Sequence, residues 1–236
     1  MMNKKIPIIS LAGVAVAQAA VFSSGELDFG VHFEDGEIEV EAHVVSGVVD
    51  GVQTDDVEFE ASDIKVLVGA DRQFTATPAL SVSGAAAGEP LWILPQSQIA
   101  GVPYVALASE ELTPGDWDTA ITFSLGSVTS PSGNGTFSMW ANEALGSPIF
   151  HFSSSNSGGT NDDNNFLSNF SHDHVNWGFT EPGEWLVELS VSGTPAGAPS
   201  PVSTSEMLSF NVIPEPATSL LAGLSALCVV IRRSRK

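Results

Sequence analysis

From Gly25 to Val44 apolar and polar residues alternate on both sides of Asp35-Gly36. A period of two is that of a strand with one buried face, and Asp-Gly is a strong signal for a two-residue hairpin turn. The spacing predicts a type I′ turn with Glu34 opposite Glu37. Phe33 then faces Ile38, Val31 faces Val40, Phe29 faces Ala42 and Leu27 faces Val44, an apolar ladder along one face. On the polar face Asp28 lies across from His43 and His32 across from Glu39, with Glu26 diagonal to His43. Opposed Cβ atoms are about 5 Å apart, so such pairs suit shared ligation or a hydrogen bond.

The same alternation returns over 57–60, 64–68, 120–126, 136–140, 149–152, 185–191 and 207–212, broken by turn-forming stretches. Residues 47–56 read as a polar loop and 194–201 as a hairpin loop. Pro95 and Pro103 argue against central strands for the segments that carry them. No amphipathic helix stands out away from the termini. Many short strands with frequent turns predict an all-β fold, a single antiparallel β-sandwich of Ig-like type. The roughly 195 residues between the termini suffice for one such core.

Both termini read as addresses. Lys4 and Lys5, an apolar run from Ile6 to Ala17 and the Ala17-Gln18-Ala19 pattern predict a secretory signal peptide over residues 1–19. At the other end Pro214-Glu215-Pro216 precedes an apolar stretch from Ala217 to Ile231, then Arg232, Arg233, Arg235 and Lys236. As a helix that stretch rises about 22 Å, shorter than the roughly 30 Å hydrocarbon core, with its positive end toward the cytoplasm. Residues 214–236 resemble the PEP-CTERM sorting tail of Gram-negative bacteria, with its triplet, short transmembrane helix and Arg-rich end. The resemblance implies exosortase-type machinery as a partner, transient residence in the inner membrane, and delivery to the cell surface or extracellular matrix.

The body from Ala20 to Ile213 keeps two basic residues, Lys65 and Arg72, against 27 acidic ones, a net charge of −25 with histidine neutral. Such a surface repels nucleic acid and attracts cations. The single cysteine, Cys228, lies in the tail. A metal site in the body must therefore use imidazole and carboxylate ligands. The richest candidate is His172-Asp173-His174, whose two imidazoles leave the same face of an extended strand while Val175, Trp177 and Phe179 take the other parity. His172, His174 and His43, with Glu26 or Asp28, would complete a four-coordinate shell, and Asn176 and Asp173 would orient the imidazoles.

The run from His172 to Gly183, Leu94-Pro95-Gln96 after Trp92, and the Gly25–His43 hairpin together resemble the choice-of-anchor M domain of bacterial surface proteins, related to an actinobacterial surface-anchored domain. Where that family starts Gly-His-x-Asp, this chain has Gly25-Glu26-Leu27-Asp28. The resemblance implies surface attachment and a transport-linked partner in metal or solute capture, with zinc ahead of manganese as the cofactor. The expectation is a non-enzymatic, exported binding module. The alternative is a structural or adhesive matrix protein without a metal. A metallohydrolase ranks last, because no H-E-x-x-H or G-x-S-x-G motif is present.

Overall fold

The computed structural model describes residues 18–142, 148–155 and 165–215. The predicted signal peptide lies outside them up to residue 17, and so does the tail from Pro216, with its predicted transmembrane helix. Among the described residues no helix is long and apolar enough to cross a membrane.

Fifteen strands account for most of the described chain. They are β1 (Ala20–Glu34), β2 (Glu37–Val49), β3 (Val52–Glu60), β4 (Ile64–Val68), β5 (Gln73–Thr75), β6 (Pro90–Leu94), β7 (Pro103–Ala108) and β8 (Ile121–Thr129). The remainder are β9 (Phe137–Ala141), β10 (Ile149–Ser153), β11 (Asn165–Ser168), β12 (His172–His174), β13 (Asn176–Phe179), β14 (Gly183–Gly193) and β15 (Val202–Val212). The larger sheet runs β11-β8-β14-β15-β4-β1-β2-β3, with β7 added beside β1 and β12 beside β7. The smaller runs β10-β9-β13-β6-β5. Two packed sheets make the predicted sandwich. Most pairings are antiparallel, but β1 pairs β4 and β7 in parallel, and β4 pairs β15 in parallel.

The first hairpin has the predicted register, from Glu34 opposite Glu37 to Leu27 opposite Val44, with Asp28 across from His43. Asp35 and Gly36 both take positive φ, at 52° and 88°, as a type I′ turn requires. Below Leu27 a bulge in β2 sets Glu26 opposite Ser46 instead. Residues 47–56 are not a loop: β2 continues to Val49, turns at Asp50-Gly51 (φ 50° and 77°) and returns as β3. The second Asp-Gly does what the first does. The two prolines also sit in inner strands or beside them, because Pro103 is the first residue of β7 and Pro95 follows the last residue of β6. Neither position requires a ladder N–H from the middle of a strand.

Aromatic side chains fill the space between the sheets. Trp177 of β13 packs against Phe29 (ring centres 6.1 Å), Phe137 (6.0 Å) and Phe210 (5.7 Å), and its indole N–H donates to the Val105 carbonyl. Phe179 meets Phe210 at 5.0 Å and Trp185 at 5.5 Å. The predicted continuous strand through 172–179 is divided: β12 belongs to the larger sheet, β13 to the smaller, and buried Val175 is the crossing point. Alternation alone would put the histidines and the aromatics on opposite faces of one strand; the division also places them in different sheets, β12 beside β7 and β13 between β9 and β6.

β1 changes neighbours along its length. Residues 20–22 pair with β4, and from Gly25 onward that edge pairs with β7. Gly25 has φ +104°, and a Cβ there would lie 2.1 Å from the Ser46 carbonyl oxygen. A side chain is excluded both by backbone conformation and by the close approach of β2. Gly25→Ala is expected to lower the unfolding free energy by about 1–3 kcal/mol in denaturant titration. A loss under about 0.5 kcal/mol, the range of ordinary surface changes, would contradict this account of Gly25.

Candidate metal centre

Three adjacent strands build one group of side chains on the outer face of the larger sheet. β7 lies in the middle, with β1 on one side and β12 on the other. Across them, Asp28, Ala106 and His174 form one row, and Gly30, Ala108 and His172 the next. Strands two places apart are separated by about 9.5 Å, twice the inter-strand spacing. The methyl groups of Ala106 and Ala108 leave the space above β7 open. Carboxylates from β1 and imidazoles from β12 reach across it and meet.

The group is Glu26, Asp28, His172 and His174, each offering one ligand atom within 4.8 Å of the others. His172 Nε2 is 3.2 Å from Asp28 Oδ1 and 3.7 Å from Glu26 Oε1, and His174 Nε2 is 3.4 Å from Glu26 Oε1. A tetrahedral ion with bonds of ~2.0–2.1 Å needs ligand atoms about 3.3–3.4 Å apart. Three of the six ligand-atom separations, 3.2, 3.4 and 3.7 Å, lie around that value.

Unpartnered polar atoms also gather here. Among the described residues five buried side-chain polar atoms lack a hydrogen bond, and three of them are Asp28 Oδ1, His172 Nε2 and His174 Nδ1. Asp28 is 4% exposed. Two of these, Asp28 Oδ1 and His172 Nε2, face each other at 3.2 Å and lie among the converging ligand atoms, whereas His174 turns Nε2, not Nδ1, toward Glu26.

Neighbours hold the rings. Tyr104 stacks on the His174 imidazole with centres 3.4 Å apart and planes within 10°. Glu110 Oε1 sits 3.2 Å from His172 Nδ1, which reserves Nε2 for the face shared with Asp28. The two imidazoles titrate apart. Contact with the Asp28 carboxylate, reinforced by Glu110 and opposed by burial, pushes His172 up to about 9. Burial, together with the positive charge of His172, pushes His174 below its usual range. Burial and then the Glu26 and Asp28 carboxylates raise Tyr104.

Some predicted members stand elsewhere. His43 lies across from Asp28 but turns its Nε2 to Asp56 Oδ1, 3.1 Å away, and is not in the group. The reason is β3, which occupies the far edge of β2 where a loop was expected and brings Asp56 to the ring. Asn176 does not orient an imidazole. It is buried, accepts from the Gln96 backbone N–H at 3.0 Å, and donates to Gln96 Oε1 and the Trp140 carbonyl, tying β13 to its neighbours. Asp173 takes the opposite parity to the histidines and accepts a hydrogen bond from the Ser171 hydroxyl. Of the sorting residues, Pro214 and Glu215 are described and follow β15, whereas Pro216, Arg232 and Arg233 lie outside the described residues. Sequence reasoning did not find Glu110. Its signal in the chain is a glutamate pair, Glu110-Glu111, just after a strand that carries an aromatic residue.

Residues 212–236 match the PEP-CTERM protein-sorting motif. The chain thus carries an export and surface-sorting signal, recognised by exosortase-type machinery, with transient membrane anchoring before surface localisation in a Gram-negative bacterium. No curated protein and no solved structure matches the chain. The resemblance of the body to the choice-of-anchor M domain has no support from these comparisons.

For the metal-free protein, histidine NMR titration is expected to place His172 near 9 and His174 below 6.5. Asp28→Asn removes the main cause and should return His172 toward 6.5. Because the folded pKa is raised, the associated stability is fully present below about 6.5 and is lost as pH rises through about 9. An unchanged His172 titration in Asp28→Asn would refute the assignment.

Proposed function

We propose that residues 20–213 form a non-enzymatic binding module, displayed at the surface after sorting, that captures a divalent metal ion through Glu26, Asp28, His172 and His174. The observation that carries this reading is the convergence of ligand atoms from Glu26, Asp28, His172 and His174 within 4.8 Å of one another, three of the separations being 3.2, 3.4 and 3.7 Å. Two imidazoles and two carboxylates, without thiolate, suit zinc ahead of manganese. Four protein ligands fill a tetrahedron and leave no position for a reacting water, which favours holding the ion over hydrolysis. Glu26 and His172 remain about a quarter exposed, so the ion has a route in. Glu110 serves as the carboxylate that orients His172. The choice-of-anchor M resemblance agrees with this reading and adds a transport-linked partner that receives the metal or its solute.

One observation favours the alternative, a structural or adhesive matrix protein. A protonated His172 beside the Asp28 carboxylate is already a compensated ion pair, which needs no metal. Metal analysis of protein purified without a polyhistidine tag separates the two. Capture predicts bound zinc, at least 100-fold weaker binding in His172→Ala/His174→Ala, and 10- to 100-fold weaker binding in Glu110→Gln. At a zinc concentration 100 times Kd, a chelator should lower Tm by about 5–10 °C. Zinc must also displace the His172 proton, so affinity rises with pH up to about 9, and calorimetry in two buffers should show proton release at pH 7. Absence of bound metal, with stability indifferent to chelator, would refute capture and is the outcome the matrix reading predicts.

The sorting signal has its own test. Changing Pro214, Glu215 and Pro216 together to alanine is expected to leave the tail on the protein and hold it in the membrane fraction. Unaltered release to the surface would show that sorting does not read the triplet.

A further inference from the structure

The outer face of β1, β2 and β3 carries a second group that the four-residue centre does not use. It consists of His32, Glu41 and Glu58, whose ligand atoms lie within 4.8 Å of one another. His32 Nε2 is 3.6 Å from Glu41 Oε2, an ion-pair distance, while its Nδ1 is 3.3 Å from Glu111 Oε2. The arrangement repeats the first centre. There Glu110 holds His172 by Nδ1 and turns Nε2 to the carboxylates of β1. Here the next residue, Glu111, holds His32 by Nδ1 and turns Nε2 to a carboxylate of β2. Two consecutive glutamates at the end of β7 thus orient two imidazoles.

The surroundings also favour a cation. Glu41 is half-buried, and burial together with Glu58, Glu60 and Glu39 raises its pKa, opposed by His32. Gly30, opposite Glu41 in the ladder, puts no side chain between the groups. On the β7 side of His32 lies a cavity of about 20 Å³ lined by Asp28, Gly30, His32, His43, Glu110 and Glu111, and not by Glu41 or Glu58. That volume holds a single water-sized oxygen donor. Asp28, more than nine-tenths buried, borders this cavity, while its Oδ1 faces His172 Nε2 in the first centre at 3.2 Å.

We propose that His32, Glu41 and Glu58 form a second divalent-cation site, oriented by Glu111 and placed beside the first centre without sharing its ligands. One imidazole and two carboxylates leave positions for water, so this site takes a divalent transition metal more weakly than the first and tolerates manganese as well as zinc. The proposal goes beyond capture at the first centre and does not require it.

The test is a titration of the full, untagged chain with zinc alone and with manganese alone, read by calorimetry and by metal content after dialysis. Two equivalents of zinc are expected, the second at least 10-fold weaker than the first. His32→Ala should remove the weaker equivalent and leave the tighter one in place. Glu58→Gln, at an exposed position on the edge strand that does not threaten the fold, should weaken the second equivalent at least 10-fold. In His172→Ala/His174→Ala the weaker equivalent should persist. One equivalent in the wild type that disappears in His172→Ala/His174→Ala would overturn this proposal while sparing the first centre. A second equivalent indifferent to both His32→Ala and Glu58→Gln would overturn it too. Loss of the second equivalent in those variants, with no effect of the His172/His174 change on the first, would uphold it and reject the first centre instead.

Discussion

The burial of Trp177 between the two sheets decides where the paired imidazoles can go. Its ring is held by Phe29, Phe137 and Phe210, and its N–H by the Val105 carbonyl on β7. Val175 is the crossing residue between the sheets. Residues just before it must therefore lie along β7, whose backbone the indole already touches. His172 and His174 are laid beside Ala108 and Ala106, facing away from the core that fixes them. An aromatic anchor in the interior thus positions polar chemistry on the exterior, with rigid strands on both sides.

On that exterior the burial of charge outweighs every other cost. Asp28 has almost no access to water, and an ionised carboxylate in such a place requires a cationic partner. His172 supplies one by holding its proton to about pH 9. In the proposed capture, a metal ion would supply another, engaging Oδ1, Nε2 and the neighbouring ligand atoms together. Under that proposal, proton and metal would compete for one position. The choice between a matrix protein and a capture module is, physically, the outcome of that competition. The excess of carboxylates over basic groups across the body raises the local cation concentration around it.

Legibility differed from element to element. The Gly25–Val44 hairpin was readable residue by residue, since strict alternation and an Asp-Gly turn leave one register that keeps its apolar face buried. Asp50-Gly51 carried the same turn signal, but its flanks are too polar to show a buried face, so β3 up to Asp56 passed for loop while 57–60 read as strand. That omission carried the error over His43, because the residue that attracts its ring, Asp56, belongs to β3. The His-x-His pair was visible as ligand chemistry, and Glu26 and Asp28 as its carboxylate partners. Glu110 and the alanines that open the space above β7 were not. Neither a glutamate after a strand nor an alanine in one is distinctive until the neighbouring strands are known.

By itself the sequence determined the β class, the first hairpin with its register, the thiol-free ligand chemistry and the sorting signal at the end. Each depends on periodicity or on a short contiguous motif, which survives without knowledge of partners. Tertiary structure alone decided that β1 exchanges β4 for β7 at Gly25, and that β7 then receives β12. Those pairings join Asp28 to His172 across more than half the chain. They arise from how two sheets share an aromatic core, a collective property with no local signature along the chain.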